Sequence, residues 1–151
     1  MKRILRIMLC ILLVLAHSAP CLASEINEGC VVYSHVETLE NGITLMRETI
    51  LIDAHSRSVT KAYTDKHTYS RNGEIIAEIW IDATFRYDGN TVSVVSKSIS
   101  KCETYDGWSF KRSSFTSSGG TVTLTGKLTK LLVLNANINI SLTCDENGNI
   151  S

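Results

Sequence analysis

Between Ile75 and Tyr87 the chain alternates. Ile75, Ala77, Ile79, Ile81, Ala83, Phe85 and Tyr87 are apolar, and Glu78, Asp82, Thr84 and Arg86 fall between them; Ile76 and Trp80 interrupt the polar set. Leu134, Ala136, Ile138, Ile140, Leu142 and Cys144 alternate in the same way with Asn135, Asn137, Asn139, Ser141 and Thr143. Val122, Leu124, Gly126 and Leu128 alternate with Thr123, Thr125, Lys127 and Thr129. A period of two with one apolar face predicts antiparallel strands that bury one side. Frequent Val, Thr and Ser suit a pleated surface. No helical stripe competes with this pattern after the first segment.

Turn residues divide the strands. Asn41-Gly42, Asn72-Gly73, Asp88-Gly89, Asp106-Gly107 and Gly119-Gly120 each lie between strand-favouring runs. Such pairs tolerate the positive φ of tight hairpins, so each predicts one. A further turn is expected around 54–57. The predicted strands are 30–40, 43–53, 57–71, 74–87, 91–103, 108–117, 121–130 and 133–144, with mixed alternation in 30–40 and 57–71. Trp108 and Phe110 share a face. The expected fold is all-β: an antiparallel hairpin meander of about eight strands curled into a sandwich or an up-and-down barrel.

The first residues follow another logic. Lys2, Arg3 and Arg6 precede an apolar run from Ile7 to Ala16, and Cys21-Leu22-Ala23 follows Pro20. A basic stretch, an apolar stretch and a small terminal residue are the layout of a secretory signal peptide, with cleavage expected after Ala23. The run is too short for a membrane span, which needs about 20 apolar residues. Pro20 argues against lipidation at Cys21. Residues 1–23 are therefore read as the signal peptide and 24–151 as a single β domain, secreted and without a membrane span.

Export changes the charge. The full chain has 151 residues, with 15 basic and 15 acidic side chains; losing Lys2, Arg3 and Arg6 leaves 12 basic residues, a net charge of −3. That balance gives no basic face for nucleic acid. The mature part keeps Cys30, Cys102 and Cys144. Three cysteines allow one bridge and leave one thiol. In a strict meander, Cys30 and Cys144 fall at the same end of the molecule and Cys102 at the other; if the sheet closes the first two meet, so the expected bridge is Cys30–Cys144. Pairing Cys102 with Cys144 would require the chain to change sheets near 130–133.

Chemistry-bearing patterns are few. Asp53-Ala54-His55 and Asp65-Lys66-His67 place a carboxylate and an imidazole two residues apart, on one face of a strand. Such pairs suit a metal or an acid–base dyad, although solvated polar residues are the commoner outcome. His35-Val36-Glu37 lacks the P-C-x-x-C partner of a zinc deaminase. Asp145-Glu146-Asn147-Gly148-Asn149 begins like a calcium loop, but Ile150 stands where the loop glycine belongs. Asn139-Ile140-Ser141 and Asn149-Ile150-Ser151 match the glycosylation sequon. Tyr63, His67 and Tyr69 share one face of the third strand, and Trp80 is placed on an outward face of the fourth. As an open patch these four would stack on sugar rings or anchor a protein. The competing and commoner reading is packing against a neighbouring strand. No catalytic residue, metal ligand set or cofactor site is assigned.

Three segments carry a resemblance: Thr84-Phe85-Arg86-Tyr87-Asp88-Gly89-Asn90-Thr91-Val92, Asp106-Gly107-Trp108-Ser109-Phe110, and the tail from Leu142 to Ser151. They resemble small secreted proteins of unknown function from gut-dwelling Firmicutes, over roughly the C-terminal half. The resemblance implies a Gram-positive exported protein, and it supplies no site residues. The leading functional expectation is a non-catalytic binding module at the cell surface or in the medium, with an unknown protein or glycan as partner. The alternatives are a small metal-dependent hydrolase using the D-x-H pairs, and a secreted inhibitor or immunity-type protein.

Overall fold

The computed structural model describes residues 29–53, 60–131 and 134–151. The expected signal peptide, the turn at 54–57 and His55 lie outside them. Eight antiparallel strands follow in order: β1 (Cys30–Thr38), β2 (Ile43–Asp53), β3 (Thr60–Arg71), β4 (Glu74–Tyr87), β5 (Val92–Thr104), β6 (Ser109–Ser118), β7 (Thr121–Lys130) and β8 (Leu134–Thr143). A short 3-10 turn, Glu40–Gly42, joins β1 to β2.

The strands form two sheets, one ordered β1-β2-β3-β4-β5 and the other β6-β7-β8. The all-β expectation holds. Of its two forms, the arrangement is that of a sandwich, because the sheets do not close into a barrel.

The turns explain the path. Asn72 and Gly73, at φ 54° and 84°, form the tight corner between β3 and β4. Both central residues take positive φ, as the hairpin twist requires. Asp106-Gly107 has similar angles but a different role. The expected hairpin there is instead the passage from one sheet to the other, since β5 and β6 are not paired. Tyr105 N–H donates to Ile76 O at 3.0 Å, and Trp108 N–H donates to Tyr105 O at 3.0 Å. The corner tucks Trp108 into the core. The change of sheet thus comes near 105–108, not at 130–133.

One core lies between the sheets. The large sheet contributes Leu45, Tyr63, Tyr69, Ile79, Ile81 and Phe85, and the small sheet contributes Val122, Leu124, Leu128, Ile138, Ile140 and Leu142. Each wholly buried aliphatic side chain stabilises the fold by about 1.5–3 kcal/mol. Gly126 stands where the β7 alternation calls for a large residue. The Phe110 ring fills that position, and a Cβ on Gly126 would collide with it. Phe110 faces Leu128 across the β6–β7 ladder, with Gly126 one diagonal step away.

The small sheet stops short of β1. Its β5 side is joined by Lys97 Nζ, which donates to Phe115 O at 3.0 Å. Its other side, β8, meets β2 and the turn before it. Asn41 Nδ2 donates to Asn135 O at 2.8 Å, and Arg47 Nη2 donates to Ser141 O at 2.9 Å. Strand β1 lies beyond this contact, and all nine of its residues are exposed.

Candidate functional site

The expected ligand residues divide between two faces. Tyr63 and His67 are each 3% exposed and Tyr69 is 1% exposed, all on the inner face of β3. Trp80 points to the outer face, beside Lys66 on β3 and Lys101 on β5. The Lys66 and Lys101 ammonium groups lie 4.5 and 4.7 Å from its ring centre. The ring is thus engaged by cation–π contacts rather than open for stacking. Lys101 Nζ also donates to Glu78 Oε2 at 2.7 Å, and Tyr105 Oη donates to the same atom at 2.7 Å. These hydrogen bonds, Lys101 first, hold the Glu78 carboxyl below its usual range.

The inner face contains a polar cluster that the sequence only partly disclosed. Asp65 is fully buried. Arg47 Nε donates to Asp65 Oδ1 at 3.0 Å and Oδ2 at 3.1 Å. Thr49 Oγ1 donates to Oδ1 at 2.9 Å, and His67 Nε2 lies 3.0 Å from Oδ2. Burial pushes the Asp65 carboxyl upward, but hydrogen bonds and charge from His67 and Arg47 outweigh it and hold the group below its usual range. The D-x-H reading therefore finds its pair in contact. The pair is an internal anchor, because Arg47 continues to Ser141 O of the other sheet. Among the described residues no three His, Cys, Asp or Glu side chains gather as a metal site. Asp53 belongs to β2 and its partner His55 lies outside the described residues.

The C-terminal turn uses its own ligands. The Asp145 carboxylate accepts from Asn147 N–H at 2.9 Å, Asn149 N–H at 2.8 Å and Asn149 Nδ2 at 2.8 Å. Tyr63 Oη donates to Gly148 O at 3.4 Å, and burial pushes this phenol up to about 12. A cleft of about 300 Å³ lies here, lined by Val32, Leu51, Lys61, Tyr63, Gly148, Asn149 and Ile150. It offers Lys61 as its only charged side chain.

Among the described residues Cys30, Cys102 and Cys144 are free thiols, and the structure does not join the expected Cys30–Cys144 pair. Cys30 is exposed on β1, whereas Cys144 is buried. Burial, then the Asp145 carboxylate, pushes the Cys144 thiol up to about 11. Cys102 is exposed on β5, and partial desolvation of its thiol by neighbouring groups raises it. Such thiols are poor nucleophiles.

Strand β1 is the remaining feature. Val36 is 60% exposed, and Val31, Val32 and Tyr33 are exposed as well. A β-bulge between Val31 and Tyr33 leaves the stretch from Tyr33 to Thr38 regular. The sequence predicted the strand but assigned it no role. Its signal was the mixed alternation, which here marks a strand with neither face buried. No protein-family model, curated protein or solved structure matches the chain.

Proposed function

We propose that the chain is an exported, non-catalytic interaction domain whose working surface is strand β1, acting at the surface of a Gram-positive cell or in its medium. One observation carries the reading: β1 exposes all nine residues and one full backbone edge, while the core is complete without it. An open edge of this kind takes up another strand through main-chain hydrogen bonds, and alternate side chains supply the selectivity. The basic, apolar and small-residue layout of 1–23 supports export. The Gram-positive setting is proposed from the three C-terminal segments read as resembling secreted Firmicutes proteins. No helix among the described residues is long and apolar enough to cross a membrane.

A photoreactive benzoylphenylalanine at position 36 tests this, with the same group at Leu131, which is 82% exposed, as control. Irradiation in the presence of the producing cells should link position 36, and not position 131, to a polypeptide. Equal labelling at both positions, or none, would remove β1 as the working surface. Turnover of a glycan or peptide that is lost on changing one polar residue would contradict the non-catalytic assignment.

A further inference from the structure

Among the described residues there are four sheet edges, and β1 is the least defended, its one bulge lying at Val31/Tyr33, ahead of the regular stretch. The β8 edge is capped by Asn41 and Arg47. The β5 edge carries Lys97 and Lys101, and its ladder is broken by bulges at Trp80/Ile81 and Thr84/Phe85. The β6 edge carries Lys111 and Arg112 and a bulge between Arg112 and Ser114. Lysines and bulges are the usual means of keeping an edge from pairing. Strand β1 has no lysine, arginine or proline, and its regular part has no bulge.

Its sequence is also complementary to itself. About Val36, the residues run Ser34-His35-Val36-Glu37-Thr38. In an antiparallel pair of two such strands with Val36 on the two-fold axis, Val36 faces Val36, His35 faces Glu37, and Ser34 faces Thr38. An imidazole meets a carboxylate twice, and the most exposed valine of the strand is covered by its own copy. A two-fold interface requires this reciprocity.

The backbone is in phase with that register. Leu39 N–H donates to Ile43 O at 2.6 Å across the β1–β2 turn. Antiparallel strands alternate the direction of their backbone groups. Residues 39, 37, 35 and 33 therefore direct theirs to β2, and Ser34, Val36 and Thr38 direct theirs to the open edge. In the proposed register Val36 pairs with Val36, and Ser34 with Thr38, and these pairs exchange both N–H and C=O; His35 and Glu37 form the non-hydrogen-bonded pairs between them, where side chains lie closest.

From these three observations we infer that β1 docks a second copy of this chain, joining two five-stranded sheets edge to edge through Val36. The inference rests on the reading of β1 as the working surface and names the partner. Pairing one strand buries little area, so the dimer is weak and depends on concentration.

Sedimentation of the purified protein from low micromolar to millimolar concentration should show its mass doubling. V36K places two ammonium groups opposite each other at the axis, and V36E two carboxylates. Each variant should remain a monomer over the same range with an unchanged circular dichroism spectrum. Position 36 is exposed on the outer face opposite Met46, so neither change enters the core. An equimolar mixture of V36K and V36E should regain the doubled mass, because lysine then faces glutamate. A wild-type protein that stays monomeric throughout would overturn the inference. So would a dimer that survives V36K, or a mixture that fails to reassociate. A link from position 36 to a different polypeptide, with the wild type monomeric, would leave the interaction reading standing and sink the dimer alone.

Discussion

Arg47 grips Asp65 through Nε, at 3.0 and 3.1 Å from the two carboxylate oxygens, and its Nη2 reaches 2.9 Å to the Ser141 carbonyl of the opposite sheet. One guanidinium thus satisfies a buried anion and ties β8 to β2. Arg47 lies opposite His67 in the ladder and diagonal to Asp65, so the pair depends on the register of two strands.

Removing the cation would leave Asp65 charged, buried and short of donors. Arg47→Ala should therefore destabilise the fold by about 3–5 kcal/mol, the range for breaking a buried ion pair from one side. Arg47→Lys keeps the charge but cannot span both Asp65 and Ser141, and should fall between the two. Urea unfolding monitored by fluorescence measures both. A loss under about 1 kcal/mol in Arg47→Ala would show that the network adds little stability.

Acid should act on the same group. The folded Asp65 carboxyl titrates below its unfolded value. Between the two values the unfolded chain binds more protons than the folded one, so its contribution is full above the unfolded pKa of about 4 and is lost as pH falls through the folded pKa. Asp88 and Asp145, lowered by hydrogen bonds from their own turns, and Glu78 act in the same direction. Asp65→Asn should be less stable at neutral pH and lose less stability on acidification below about pH 4 than the wild type. Denaturant unfolding at stepped pH values gives the comparison. Parallel curves for the two proteins would show that Asp65 is not the carboxylate responsible.

The strands from Glu74 to Tyr87, Thr121 to Lys130 and Leu134 to Thr143 were legible because one face is apolar and the other is not. Strand β3 gives less contrast: Tyr63, Asp65, His67 and Tyr69 face inward, against Thr64, Lys66, Thr68 and Ser70. Both faces contain charge, so parity placed the two tyrosines and His67 together without showing that the face is buried. That outcome depends on Arg47, 18 residues away from Asp65, which no local pattern reports. The Asp106-Gly107 step failed differently. Its dipeptide suits a hairpin and a change of sheet equally, and the burial of Trp108 decides between them.

Gly126 offers a test of packing. Its missing side chain is replaced by the Phe110 ring from the neighbouring strand. Gly126→Ala should cost about 1–3 kcal/mol, because the ring must leave its place. Phe110→Ala should also destabilise, by uncovering Gly126 and Leu128. The double variant should lose less than the sum of the two, since the added methyl group no longer meets a ring. Thermal unfolding of the four proteins closes the cycle. Strict additivity would show that the two positions do not share this space.

The thiols provide the sharpest check on how β1 and the C-terminal turn are arranged. Cys30 lies on the exposed strand, and Cys144 is buried under the final turn with its thiol pushed up to about 11. Thiolate is the reacting species, so access and ionisation both disfavour Cys144. A thiol-specific reagent at neutral pH should label Cys30 quickly in the native protein. Cys102 is exposed too and should follow more slowly, because partial desolvation raises its thiol. Cys144 should react only on unfolding. Peptide mass spectrometry after timed labelling, without prior reduction, assigns each site. Cys30 and Cys144 both resistant until a reductant is added would mean that they are bridged, and the free edge of β1 would then be tethered to the C-terminal turn.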